Sequence, residues 1–238
     1  MRRRFFVDQI RNGRAEISGG DAQHLTRVLR VEPGQRYEIS DNRSAYLAEI
    51  ETARKQQVVF RTLEKLPPPP QEARIVLNAA LIKFDRFEWM IEKATELGVD
   101  TIVPFHAARG ERGLDPAARK RIERWRRIAL EASQQSRRAH LPVIETPSSF
   151  DDILRVPADH RFVLDEDPQA PPLARALPDS RSPSDAIAVL IGPEGGWTDA
   201  ERQRFSGFTR ISLGPRILRA ETAAIAALAI LRSAWSAL

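Results

Sequence analysis

No cysteine occurs anywhere in the 238 residues. Disulfides, thiolate zinc sites and cysteine nucleophiles are therefore excluded. The four histidines, His24, His106, His140 and His160, are scattered, whereas a zinc or carboxylate metal site needs clustered ligands. No metal centre is expected. No run approaches the roughly 20 apolar residues that span a bilayer. The opening MRRRFFVDQI is basic but has no apolar stretch behind it, so it does not read as a signal peptide. A cytoplasmic location is the resulting expectation.

What is present describes a globular chain. Hydrophobic residues make up 42% and charged residues 29%, enough apolar material for a sizeable core in one large domain or two smaller ones. The formal charge is +5 and the isoelectric point about 10.0. That balance favours an acidic partner, nucleic acid being the commonest. A strong preference for arginine over lysine is also what genome composition alone produces, so charge leaves both readings open.

Short strand-like runs fill residues 1–66: RRFFV, AEIS, RYEIS, AYLAEIETA and QVVFRTLEKL, with turns at Pro33-Gly34 and Asp41-Asn42. One helix is expected in DAQHLTRVLR, with Asp21 as cap and Leu25, Val28 and Leu29 on one face. This reads as a small β-barrel-like domain. Residues 67–72 form a proline-rich linker, since four consecutive prolines continue neither a helix nor a central strand.

Residues 73–238 then alternate. RIVLNAALI is a buried strand, and RFEWMIEKATELG is a helix with Phe87, Met90, Ile91, Ala94 and Leu97 on one side and Gly98 as its stop. TIVPF is a strand. Asp115 is expected to cap one long helix with Pro116 at its first position and Ala118, Ile122, Trp125, Ala129 and Ala132 as its apolar stripe. VIET, RFVLDE, AIAVLIG and RISLG are further strands, and ETAAIAALAILRSAWSAL is a buried or interface helix. The alternation predicts an α/β fold with a mostly parallel sheet.

Chemistry concentrates where AIAVLI ends in Gly192-Pro193-Glu194-Gly195-Gly196. The turn lacks the Lys-Ser or Lys-Thr of a phosphate loop and the spacing of a dinucleotide fingerprint. What remains is a ligand contacted mainly by backbone, which the glycines allow to approach closely. Thr198 and Glu201 read as a capping box that fixes the turn to the helix it feeds. A plain strand-to-helix connection is the alternative. A second turn of the same kind, SLGPRILRAETA, places Gly214-Pro215 after a strand and then Arg216, Arg219, Glu221 and Thr222. Two such turns at strand carboxyl ends lie where open α/β sheets bind ligands.

LIGPEGGWTDAE and LGPRILRAETA together resemble the paired C-terminal signatures of the SPOUT-class RNA methyltransferases. HLTRVLRVEPGQ, IEKATELGVDTIVPF and RWRRIALEASQQSRR extend the likeness to the RsmE family of 16S rRNA uridine-N3 methyltransferases, across nearly the whole chain. The resemblance implies an N-terminal PUA-like RNA-binding β-barrel and a C-terminal domain with a deep trefoil knot. It also implies S-adenosyl-L-methionine as cofactor, 16S rRNA as partner, as folded RNA or as the small ribosomal subunit, and a homodimer with active sites at the subunit interface.

Carried over by position, Ile191, Gly192, Pro193, Glu194, Gly195 and Gly196 would line the cofactor pocket, with Leu213, Gly214, Ile217, Leu218 and Arg219 opposite. The segment after RFVLDEDP is the place for a third wall, but its match is weak. Methylation at uracil N3 needs removal of an imide proton and a held methyl donor. Arg219 is the candidate for stabilising the developing uridine anion. Glu194 or Glu221 would position the base or move the proton, although Glu221 equally suits a helix N-terminus. Arg2, Arg3, Arg4, Arg27, Arg30, Arg137 and Arg138 are candidate RNA contacts, with Arg124, Arg126 and Arg127 as an extension. A methyltransferase of the same class acting on another base, or a non-catalytic rRNA-binding assembly protein, are the competing functions.

Overall fold

The computed structural model describes residues 3–111 and 113–236, and the chain divides into two compact units. The first runs to Pro70 and also takes in Ser133–Leu141. It contains β1 (Arg4–Phe6), β2 (Arg14–Ser18), α1 (Gly19–Arg27), β3 (Arg36–Ser40), β4 (Ala45–Arg54) and β5 (Gln57–Lys65). They form one curled sheet in the order β1-β3-β4-β5-β2, antiparallel except where β1 runs parallel to β3. Alternation places Ala15 and Ile17 of β2, Ala48 and Ile50 of β4, and Val58 and Phe60 of β5 on the inner face around Phe5 and Ile39. Helix α1 closes this core with Ala22 and Leu25.

Two local expectations for α1 are corrected. Its N-cap is Ser18, with Gly19 and Gly20 as the first helical residues, and Asp21 lies inside the first turn. The helix also ends before Val28, which is 64% exposed, because the chain turns away through Arg30 at a positive φ of 51°.

The second unit comprises Gln71–Ala132 and Pro142–Leu238. Its elements are β6 (Arg74–Ala80), α2 (Phe84–Glu96), β7 (Thr101–Phe105), α3 (Leu114–Arg119), α4 (Ile122–Ser136, whose last turn groups with the first unit), β8 (Val143–Ile144) and α5 (Phe150–Leu154). They continue with β9 (His160–Leu164), α6 (Leu173–Ala176), β10 (Ala186–Ile191), α7 (Asp199–Arg202), β11 (Thr209–Ile211) and α8 (Ala220–Ser236). All six strands are parallel, ordered β11-β9-β10-β6-β7-β8. The central strands β6 and β10 are buried on both faces, which is why they read as continuous apolar runs.

The expected long helix from Asp115 is two helices. Gly113, at φ 81°, precedes α3, and the N–H of Arg121 bonds to the Ala118 carbonyl at 2.8 Å, interrupting the run before α4 begins. The apolar stripe survives the break, since Ala118, Ile122, Trp125, Ala129 and Ala132 are all buried. Helix α8 packs Ala224, Ala227, Leu228 and Leu231 into the same core as Phe87, Met90 and Ile91 of α2.

Candidate functional site

Because β9, β10 and β11 are adjacent and parallel, the three loops leaving their carboxyl ends emerge on one edge of the sheet. Together they enclose a cavity of about 470 Å³. Residues Leu164–Pro168, Ala170 and Pro172 form one wall, Ile191–Glu194 with Gly196 and Trp197 the second, and Ser212–Leu218 the third, with Ala220 and Ala223 of α8 at the back.

The wall after β10 is the more tightly held. The Gly196 N–H closes a turn onto the Pro193 carbonyl at 2.9 Å. A side chain on Gly192 would meet the buried Trp197 ring, with Cε2 2.8 Å from the added Cβ. Gly196 has a φ of 68°, and an added Cβ there would run into the Glu166 carboxylate of the neighbouring wall. Close approach to the indole therefore requires glycine at 192, whereas at 196 the left-handed backbone does, the Glu166 side chain being free to move aside. Trp197 donates from Nε1 to the Leu164 carbonyl at 2.7 Å and packs against Phe105 and Phe205.

The capping box at the start of α7 is present. Thr198 accepts from the Glu201 N–H, while the Glu201 carboxylate accepts from the Thr198 N–H at 2.8 Å. The Glu201 carboxylate also accepts from the Ala108 N–H at 2.8 Å, and Arg109 donates to the Gly195 carbonyl at 3.1 Å. Arg202, also on α7, donates to Asp165, whose side chain is fully buried, and to the Trp197 carbonyl at 3.0 Å. The hydrogen bonds to Asp165 hold the Arg202 guanidinium more firmly protonated than usual.

The wall after β11 is more open. Residues from Gly214 to Arg219 are all exposed, and Ile217 is 88% exposed. Ser212 secures its base, donating to the Pro171 and Ala170 carbonyls and accepting from the Leu173 N–H, which joins this wall to the segment after β9.

Of the residues expected around the cofactor, Ile191, Gly192, Pro193, Glu194, Gly196, Leu213, Gly214, Ile217 and Leu218 line the cavity. Gly195 is not among the lining residues and abuts Arg109 instead. Arg219 does not line the cavity either. Its side chain is exposed, and its carbonyl accepts the Ala223 N–H at 2.8 Å as α8 begins. The wall after β9 was legible only as Asp165-Glu166-Asp167-Pro168 directly following a strand, a signal without glycine.

Glu194 pairs with Arg86 in the first turn of α2, and Arg86 Nε lies 3.9 Å from Glu221 Oε1. Glu221 is 6% exposed, and its Oε2 has no hydrogen-bond partner among the described residues.

The arginines separate into two groups. Arg2 lies outside the described residues. Arg4 donates twice to the buried Glu38 and once to the Arg138 carbonyl, and Arg137 pairs with the same Glu38, so both are engaged within the first unit. Arg138 donates to the His140 carbonyl at 3.1 Å. Arg27 and Arg30 are exposed, and Arg3 is half-buried. On α4, Arg124 pairs with Glu88, Arg126 with Glu123 and Arg127 with Glu131, leaving that face largely charge-compensated.

Residues 69–232 match the RNA methyltransferase domain family, and residues 17–63 match the RNA methyltransferase PUA domain family. A ribosomal RNA small subunit methyltransferase E from Bacillus subtilis is 32% identical over 228 residues, covering 89% of this chain and 87% of the relative. The structure of a methyltransferase from Legionella pneumophila in complex with bound cofactor SAM superposes with a TM-score of 0.88 at 30% identity, covering 98% of both chains. A ribosomal RNA small subunit methyltransferase E from Neisseria gonorrhoeae, crystallised bound to S-adenosyl methionine, gives 0.86 at 29% identity, covering 99% of this chain and 98% of that one. The curled first sheet, the parallel second sheet and these matches agree: the chain belongs to the ribosomal RNA small subunit methyltransferase E family of RNA methyltransferases.

Proposed function

We propose that the protein uses S-adenosyl-L-methionine to methylate N3 of a uridine in 16S rRNA, acting as a homodimer in the cytoplasm. The observation that carries this is the cavity at the carboxyl ends of β9, β10 and β11. At about 470 Å³ it falls within the range of small-molecule sites. Its walls hold Asp165, Glu166, Asp167 and Glu194 against a single arginine, Arg216. Arg202 and Arg86 pair with Asp165 and Glu194, so the charge left to face a ligand is that of Glu166, Asp167 and Arg216, which offers a phosphate no cluster of cations among the lining residues.

The cofactor, when bound, supplies an electrophilic methyl group. The three loops would hold it and exclude water from one side, with Gly192 and Gly214 among the residues that would line it. Arg219, exposed and without an ion-pair partner among the described residues, is the cation assigned to the N3 anion. Glu194, on the cavity wall, is the carboxylate assigned to orienting the base or receiving the N3 proton. The exposed wall around Ile217 is what a homodimer would cover. Arg27 and Arg30, both exposed on the first unit, are the assigned phosphate contacts.

Mass spectrometry of small-subunit rRNA from a deletion strain tests the reading. One 3-methyluridine is expected to disappear, to return with the wild-type gene and to stay absent with Arg219→Ala. An unchanged uridine profile would reject it.

A further inference from the structure

The two walls that follow β10 and β11 are sparsely held at their tips. Glu194 and Gly195 are exposed, secured by one backbone turn and the Arg109 bond. The other wall is exposed from Gly214 to Arg219, between the Ser212 hydrogen bonds at its base and the start of α8. A ligand held between such walls loses affinity to the cost of ordering them unless something fixes them beforehand.

Arg86 reaches both. Its guanidinium pairs with Glu194 on one wall, and its Nε lies 3.9 Å from Glu221 in the first turn of α8, at the end of the other. Glu221 makes this contact a requirement of the fold. Its side chain is only 8% exposed, Oε2 has no hydrogen-bond partner among the described residues, and Arg86 is the cation within ion-pair distance. A carboxylate buried to that degree without a neighbouring cation is strongly unfavourable. Arginine's rigid, forked set of donors can address two carboxylates at once, which the compact ammonium of lysine does less well.

We propose that Arg86 is a positioning residue for cofactor binding. Glu221 anchors it, and it in turn fixes the Glu194 carboxylate on the cavity wall, so that the two loops are preset from a third element, α2. The inference rests on the reading of the cavity as the S-adenosyl-L-methionine site.

Calorimetry with S-adenosyl-L-methionine on the full chain tests it, alongside thermal unfolding of each variant. Arg86→Ala is expected to weaken binding about tenfold, corresponding to roughly 1.4 kcal/mol. Because Arg86 acts through Glu194, adding Glu194→Gln should weaken binding no further than the stronger single change. Arg86→Lys keeps a charge for Glu221 without the fork, so it should restore thermal stability without restoring affinity. Should Arg86→Ala fail to fold, the Arg86→Ala, Glu221→Gln pair removes the uncompensated charge and is expected to show the same tenfold loss. Wild-type affinity in these variants, effects of Arg86 and Glu194 that multiply, or full recovery of affinity with lysine would each overturn the proposal. Failure of the wild-type protein to bind the cofactor would instead sink the reading of the cavity, and the role of Arg86 with it.

Discussion

Gly192 and Trp197 approach so closely that neither tolerates a larger neighbour: a Cβ on Gly192 would lie 2.8 Å from Cε2 and 3.0 Å from Cζ2 of the indole. The ring cannot retreat, because Phe105 and Phe205 flank it and Nε1 is bonded to the Leu164 carbonyl. Gly192→Ala is therefore expected to destabilise the fold by about 1–3 kcal/mol through overpacking. It should also lower cofactor affinity, since relief of the clash moves the cavity wall. Trp197→Ala should cost about 3–5 kcal/mol. Urea denaturation followed by cofactor titration of the surviving variants checks both.

Asp165 and Arg202 give a second prediction. The carboxylate is fully buried and bonded by both Nε and an outer nitrogen of the guanidinium, while Arg202 also holds the Trp197 carbonyl. Removing the cation strands a buried charge, so Arg202→Ala should cost about 3 kcal/mol or more. The loss should change little with salt, because screening acts weakly on buried pairs. Denaturant midpoints at low and high ionic strength measure it. A midpoint equal to wild type would show that the pair does not tie these loops together.

Asp185 predicts an acid-side stability loss. The Ser182 amide and the Trp235 indole, with His160 beside them, hold its carboxyl below the usual range. A depressed folded-state value contributes stability above the unfolded value of about 3.9 and loses it as pH falls through the folded one. Asp185→Asn should lower stability by a constant amount above about pH 5 and flatten the fall between about pH 5 and the acid limit, where the two proteins converge. Thermal unfolding across that range is the measurement.

A fourth prediction separates two kinds of arginine. Arg27 and Arg30 are exposed, whereas Arg4 is consumed by Glu38. Replacing Arg27 and Arg30 with alanine should weaken rRNA binding and make its salt dependence shallower, by about one unit of slope for each phosphate no longer neutralised. Arg4→Ala should lower stability while leaving the salt slope as it was. Filter binding over a salt series distinguishes them, and an unchanged slope for the Arg27 and Arg30 pair would remove both from the RNA face.

Much of the fold could be read locally. The strand runs, the capping box at Thr198 and the apolar stripe from Ala118 to Ala132 follow from side-chain periodicity and short-range hydrogen bonding, which depend on neighbours in sequence. Both glycine turns were legible for the same reason. The break between α3 and α4, and the exposure of Val28, were not, because an i→i+3 bond at Arg121 and a positive φ at Arg30 alter the path without disturbing the hydrophobic pattern.

The sequence by itself determined two glycine turns at strand carboxyl ends that lack a phosphate clamp, since spacing and the missing lysine are one-dimensional facts. Only the tertiary structure decided which carboxylates the arginines engage. Arg86 meets Glu194 across 108 residues, Arg202 meets Asp165 across 37, and Arg137 closes on Glu38 across 99. Tertiary packing brings those pairs together, and pairing is what turns a string of surface-type charges into struts that brace the fold. The same arginines that composition offers as an RNA footprint are thereby divided between those that hold the fold and those left to meet a partner.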